Sequence, residues 1–90
     1  MSDGLAAQRK RLLMQSRRRG MRETDLILGQ FADRYLDGFT AEQLDRYESL
    51  LRCQDQDLIA WIAGAPPPDI HSHDVMALLR TFTTGIQSVD

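Results

Sequence analysis

One cysteine, three prolines confined to a single run and six aromatic residues leave this 90-residue chain short of several kinds of chemistry. Cys53 alone forms no internal disulfide, and metal or redox motifs built on paired cysteines are absent, which fits a reducing compartment. No apolar run approaches the ~18 residues of a membrane span, and no apolar stretch at the N-terminus resembles a secretory signal. A glycine-rich phosphate loop, a nucleophile elbow and a dinucleotide fingerprint are all missing. What is present is ordinary for a globular protein: 42% hydrophobic and 27% charged residues. A single domain of this size buries only about 60–65% of the surface that its unfolded chain exposes, so its core is small.

The net charge of −2 hides an uneven distribution. Residues 1–22 carry seven bases (Arg9, Lys10, Arg11, Arg17, Arg18, Arg19 and Arg22) against Asp3, a net of +6. Residues 23–90 carry four bases and twelve acids, a net of −8. Such asymmetry points either to an anionic partner for the basic end or to that end lying against the acidic remainder.

Hydrophobic spacing reads as five short helices, with no convincing period-two alternation and no internal repeat. The first spans about Asp3 to Arg18, with Asp3 as cap, Leu5, Leu12 and Leu13 as its stripe, and bases in its last turn. Gly20 ends it. The second starts at Glu23 or Thr24 and runs to about Leu36, with Leu28, Phe31, Ala32 and Tyr35 on one face and Glu23 and Asp25 in its first turn. Asp37-Gly38 stops it. Thr40 and Gln43 have capping-box spacing before the third helix, and Phe39 stands where a hydrophobic staple sits. Leu44, Tyr47, Leu50 and Leu51 form the buried side of that helix. After a break at Cys53-Gln54, Leu58, Trp61 and Ile62 share the face of a fourth helix, which Gly64 and Pro66-Pro67-Pro68 end. The fifth runs from Ser72 or Asp74 to Phe82 on Val75, Leu78, Leu79 and Phe82, and residues 83–90 are expected to fray. The fold class is all-α: a compact five-helix bundle in one domain.

Few residues invite catalysis. His71 and His73 follow the proline run without a third ligand at standard spacing, so helix-start roles are expected rather than a metal site. Cys53 has no base beside it in the sequence. Asp55 and Asp57 suit the start of a helix. The run Arg17-Arg18-Arg19-Gly20-Met21-Arg22-Glu23 is different. Four arginines surround a glycine that costs a helix interior roughly 0.8–1 kcal/mol, so it reads as a basic hinge between two helices. Three uses remain open on the residues alone. They are a solvated basic end, a small adaptor for nucleic acid or another acidic partner, and a contact in which Arg19 and Arg22 grip carboxylates or phosphates. The acidic remainder and the lack of an aromatic in the basic segment weigh against nucleic acid.

Arg11-Leu12-Leu13 and Ser16-Arg17-Arg18-Arg19-Gly20-Met21-Arg22-Glu23 resemble the RGxxE region of the succinate dehydrogenase flavinylation factors, SdhE in bacteria and succinate dehydrogenase assembly factor 2 in mitochondria. The resemblance continues through Leu44, Tyr47, Leu50-Leu51, Asp55, Asp57-Leu58, Trp61 and Val75-Met76-Ala77-Leu78-Leu79-Arg80, covering roughly residues 9–82. Met14 and Gln15 depart from it, because the family often has an aromatic there.

The resemblance implies a non-catalytic assembly factor, in a bacterial, cytoplasmic form. The chain is expected to be monomeric when free and, on its own residues, neither to bind nucleic acid nor to enter a membrane. Its implied partner is the flavoprotein subunit of succinate dehydrogenase, with that of fumarate reductase as a related target. On that subunit it promotes covalent attachment of FAD to a histidine. FAD belongs to the partner, and whether this chain touches it stays open. Arg19, Gly20 and Glu23 are the implied contact core, Met21 and Arg22 flank it, and Arg11, Ser16, Arg17 and Asp25 complete the implied contact set.

Overall fold

Gly20, Asp37-Gly38, Cys53-Gln54 and the stretch from Gly64 to Pro68 divide the chain where the sequence places its breaks. The computed structural model describes residues 3–87. Its helices are α1 (Asp3–Ser16), α2 (Arg22–Tyr35), α3 (Ala41–Leu51), α4 (Asp55–Ile62) and α5 (Asp74–Gln87). Short 3₁₀ turns at Leu36–Gly38 and Asp69–His71 lie between them. No strand occurs among the described residues.

The helix faces read from the sequence meet in one core, except for Leu5 of the α1 stripe, which is exposed about two turns before buried Leu12. Leu12, Leu28, Phe31, Leu44, Tyr47, Leu50, Leu58, Val75, Met76 and Leu79 are buried, while Leu13, Tyr35, Trp61, Ile62, Leu78 and Phe82 are half-buried against them. Phe31 stands at the centre, its ring 5.0–6.0 Å from those of Tyr35, Phe39, Tyr47 and Phe82. Tilted and edge-on pairs at such distances add about 0.5–1.5 kcal/mol each beyond the area they bury. In this way a chain with few aromatics concentrates nearly all of them in one cluster. Trp61 lies instead beside His71, 5.5 Å between rings.

Three interhelix corners are held by arginines from elsewhere in the chain. Arg9 donates to Leu36 O and Phe39 O at the α2–α3 corner, both at 2.9 Å. Arg80 donates to Trp61 O and Ala65 O after α4, both at 2.7 Å. Arg19 does the same at the α3–α4 corner. Helix C-termini leave carbonyls without intrahelical partners. The planar, forked guanidinium suits two such acceptors at once. Past α4, Gly64 takes φ +123, a left-handed conformation that favours glycine, before the proline run.

The capping box forms as expected, with Gln43 N donating to Thr40 Oγ1 (3.2 Å) and Thr40 N to Gln43 Oε1 (2.9 Å). Two boundaries differ from expectation. α1 stops at Ser16 rather than Arg18, because Arg17 N and Arg18 N bond three residues back, to Met14 O and Gln15 O, in a tightened final turn. Its last turn therefore holds no base. α5 continues to Gln87 instead of fraying after Phe82, since Thr83 is buried and its hydroxyl bonds Leu79 O. The Asp3 cap and residues 88–90 lie outside what the structure describes.

His73 caps α5: its Nδ1 accepts from Met76 N at 3.2 Å. Burial, opposed in part by neighbouring Asp74, lowers the His73 pKa below its ordinary 6.5. The folded state thus favours the neutral ring, which can accept that bond. Its contribution is present above about pH 6.5 and lost as pH falls through the lower folded value. Thermal unfolding from pH 7.5 to 5 should show Tm falling in the wild type. His73→Asn keeps a capping acceptor without the titrating ring. It should flatten that fall, and an unchanged slope would exclude the cap as its source.

Candidate functional site

Residues 17–21 join α1 to α2 as a short loop whose backbone is fixed by two carboxylates. Asp25, in the first turn of α2, accepts from Arg19 N at 2.5 Å. Asp55, the first residue of α4, accepts from Met21 N at 2.9 Å and from Arg19 Nε at 2.7 Å. The Thr24 hydroxyl, fully buried, lies 2.9 Å from both Asp55 Oδ2 and Met21 O. Burial alone would raise the Asp55 pKa. The Met21 amide, the Thr24 hydroxyl and the Arg19 guanidinium outweigh it and hold the carboxyl below its usual range. The acid expected to serve only a helix start is thus the hub of the loop. No local feature signals this role, because its partners lie more than thirty positions upstream.

Arg19 points into the protein. Its guanidinium pairs with Asp55 and donates to Leu51 O and to Cys53 O, the latter at 2.7 Å. The Arg19 and Asp55 side chains are only 11% and 13% exposed. The grip on an external carboxylate or phosphate expected of Arg19 is therefore replaced by an internal one. The carbonyls at the end of α3 need donors, and the arginine supplies them. Ser16 is likewise internal. It is fully buried, with Oγ 2.7 Å from Leu12 O and 2.5 Å from the Tyr47 hydroxyl, whose pKa burial raises. Asp25 braces the loop, as its bond to Arg19 N requires.

The rest of the implied contact set lies at the surface. Arg18, Gly20, Arg22 and Glu23 are exposed and Met21 is half-buried. Arg17 pairs with Asp33 across an exposed surface, and its stem covers Gly29. A Cβ on Gly29 would stand 3.4 Å from Arg17 Cγ, at van der Waals contact with that stem. Arg11 forms an exposed pair with Glu48 at 2.8 Å. Hydrogen bonds from Arg11 and Gln8 hold Glu48 down to a pKa of about 2. Part of the basic end therefore does lie against the acidic remainder, through Arg11, Arg17 and Arg19. Lys10, Arg18 and Arg22 have no acidic partner among the described residues. Arg22 sits in the first turn of α2, where the helix dipole disfavours a cation, so its own helix does not account for it.

Beside the loop, α1 and α3 form an open groove of about 970 Å³. Lys10, Arg11, Arg18 and Arg52 lie along it, Met14 contributes an apolar side chain 48% exposed, and Gly20 closes one end. Met14 stands at the position where the resemblance leads one to expect an aromatic.

Elsewhere the structure brings His71 to Cys53, with Nε2 3.3 Å from Sγ, a base that the sequence hid by an 18-residue separation. Burial raises the Cys53 thiol pKa, the opposite of what an activated nucleophile needs. Among the described residues, no group of three or more His, Cys, Asp or Glu is placed to hold a metal ion. None of their helices is long and apolar enough to cross a membrane.

Comparison with known proteins carries the resemblance further. The family model for the flavinator of succinate dehydrogenase matches residues 10–83. Succinate dehydrogenase assembly factor 2-B, mitochondrial, of Drosophila ananassae is 40% identical over 98% of this chain and 56% of its own length. The mitochondrial assembly factor 2 of Debaryomyces hansenii is 48% identical over 66% of this chain and 42% of its own. Assembly factor 2-A of Drosophila persimilis is 36% identical over 98% of this chain and 57% of its own. The chain spans about half the length of these relatives. With its loop, its core and two of its three corner arginines, Arg19 and Arg80, inside the matched region, the chain belongs to the family of flavinators of succinate dehydrogenase.

Proposed function

We propose that this chain is a non-catalytic assembly factor that docks through its α1–α2 loop onto the flavoprotein subunit of succinate dehydrogenase and promotes covalent attachment of FAD there. The observation that carries the proposal is the division of the loop into two halves. Arg19, Asp25 and Asp55 fix its backbone from inside, while Arg18, Gly20, Arg22 and Glu23 are left exposed on that fixed frame. Family membership and the relatives' names support succinate dehydrogenase as the assembly served.

The chemistry asked of the chain is modest. The flavoprotein supplies the histidine and keeps the FAD, and this chain binds no flavin of its own. It favours the flavoprotein conformation in which histidine and flavin meet. Orientation of this kind lowers a barrier by several kcal/mol, up to about 7–11 kcal/mol in well-placed intramolecular reactions. The factor needs only higher affinity for the productive state. A preformed loop suits that task, because little ordering entropy is spent on binding. The flavoprotein of fumarate reductase is a second target on the same reasoning. The free factor is a monomer that works in the bacterial cytoplasm, although its relatives are named as mitochondrial.

Co-expression with the flavoprotein subunit in cells lacking their own factor tests the proposal. In-gel flavin fluorescence at the flavoprotein band should rise severalfold when this chain is present. Equal fluorescence with and without it would refute the assignment.

A further inference from the structure

The loop has a second side, chemically unlike the cationic groove. There α2, α4 and α5 enclose a shallow depression of about 300 Å³. Ile27, Ile59 and Ile62 line it, with Thr83 and Thr84 along one wall and Glu23 at the rim. The threonine hydroxyls are turned back onto their own helix, bonding Leu79 O at 2.8 Å and Arg80 O at 3.0 Å. That wall therefore offers methyl groups rather than free donors. Among the described residues, Glu23 is the only charged side chain lining the depression. It is exposed and has no hydrogen bond or ion pair among the described residues. The other acids of α2 are engaged, Asp25 by Arg19 N and Asp33 by Arg17. Leu26, 58% exposed and one turn from Glu23, extends the apolar surface along α2.

An isoleucine-lined depression with one unpaired carboxylate at its edge has a definite complement. We infer that it receives a segment of the flavoprotein partner in which an aliphatic side chain stands beside an arginine or lysine. The aliphatic group fills the space between Ile27, Ile59 and Ile62, and the cation pairs with Glu23. Charge complementarity selects this occupant: an acidic segment in the depression would meet Glu23 at its rim unfavourably, and Arg22, the exposed cation beside Glu23, does not line the depression. The two surfaces together form a bipartite footprint that sets register: acid against α1 and base against α2, with Gly20 between them. This inference rests on the docking reading above and extends it from Glu23 to an apolar surface, that of Ile27, Ile59 and Ile62, outside the contact set implied by the sequence.

The test is binding of the full chain to purified, FAD-loaded flavoprotein subunit of succinate dehydrogenase, followed by interferometry at two salt concentrations. Ile59→Asn should weaken binding at least tenfold. Thr84→Glu, an exposed substitution on the wall, should do the same with Tm within a few degrees of wild type, and it carries the test should Ile59→Asn unfold. Glu23→Gln should weaken binding and flatten its salt dependence. If Ile59→Asn and Thr84→Glu both bind within twofold of wild type while Gly20→Arg does not bind, the depression is not a contact and the docking loop stands. If the wild type fails to bind, or Gly20→Arg binds as wild type does, the docking reading falls and this inference falls with it.

Discussion

Arg19→Ala is expected to destabilise the fold by about 3 kcal/mol, the low end for removing one partner of a buried ion pair, since both side chains keep slight exposure. It strands Asp55 among Met21 N and the Thr24 hydroxyl with a charge no longer balanced, and it leaves Leu51 O and Cys53 O without their donor. In a domain of this size that loss lowers Tm by roughly 12–24 °C. Arg19→Lys should recover only part of it, because an ammonium on a flexible stem does not span a carboxylate and two carbonyls together. Urea unfolding of the three proteins gives the order directly. An alanine variant within 1 kcal/mol of wild type would mean that the guanidinium does not anchor the loop. Because the α1–α2 connection is tied down through this side chain, the same variant should lose its support of flavinylation even at temperatures where it remains folded.

The second large effect separates binding from stability. A Cβ added to Gly20 would lie 3.8 Å from Asp55 Oδ2, an ordinary contact, and the residue does not occupy the left-handed region. Nothing inside the chain therefore requires glycine at this position. Gly20→Ala should leave stability unchanged or raise it by about 0.4–1 kcal/mol through a less flexible unfolded chain. Against a closely fitted partner, however, one methyl group overpacks the interface at a cost of about 1–3 kcal/mol, or roughly 5–150-fold in affinity. Gly20→Arg, projecting from an exposed loop, should fold normally and lose docking altogether. A graded loss from glycine to alanine to arginine at constant Tm is the expected pattern. A parallel fall in Tm would place the need for glycine inside the fold instead.

The two variants act on opposite sides of one loop, and the sequence distinguishes those sides poorly. Helix positions were legible because local chemistry sets them: the Thr40–Gln43 capping box, the 3.6-residue stripes and the proline stop all formed where the sequence placed them. The loop itself was legible from Gly20 and the bases around it, and the resemblance supplied its importance. The direction of each side chain was not. Arg19 turns inward because the carbonyls of Leu51 and Cys53 and the carboxylate of Asp55 converge beneath it, more than thirty residues away in sequence. Ser16 is drawn in by Tyr47 across the α1–α3 contact, again at long range. Those partners are set by tertiary packing, which a run of arginines cannot encode locally. The Cys53–His71 contact and the packing of the Arg17 stem over Gly29 escaped for the same reason. The α5 tail was misread because Thr83 looks polar in sequence, yet its hydroxyl is satisfied within its own helix, which leaves its methyl free to be buried.

The arginines of this chain also show why a net count of charge misleads about partners. Arg9, Arg19 and Arg80 hold corners, and Arg11 and Arg17 are paired with acids. What remains beside the loop are Lys10 and Arg18, which share a groove with exposed Met14, and Arg22 at the start of α2. That is enough for an acidic patch on a protein. It offers no aromatic platform for nucleotide bases.

The most direct measurement pairs in-gel flavin fluorescence of the co-expressed flavoprotein with thermal unfolding of the same factor, for wild type and Gly20→Arg. Fluorescence at the level seen without any factor, with Tm within a few degrees of wild type, is the result expected of an outward-facing docking loop held on a rigid frame. Full fluorescence with Gly20→Arg at wild-type Tm would show that the flavoprotein is engaged through some other surface.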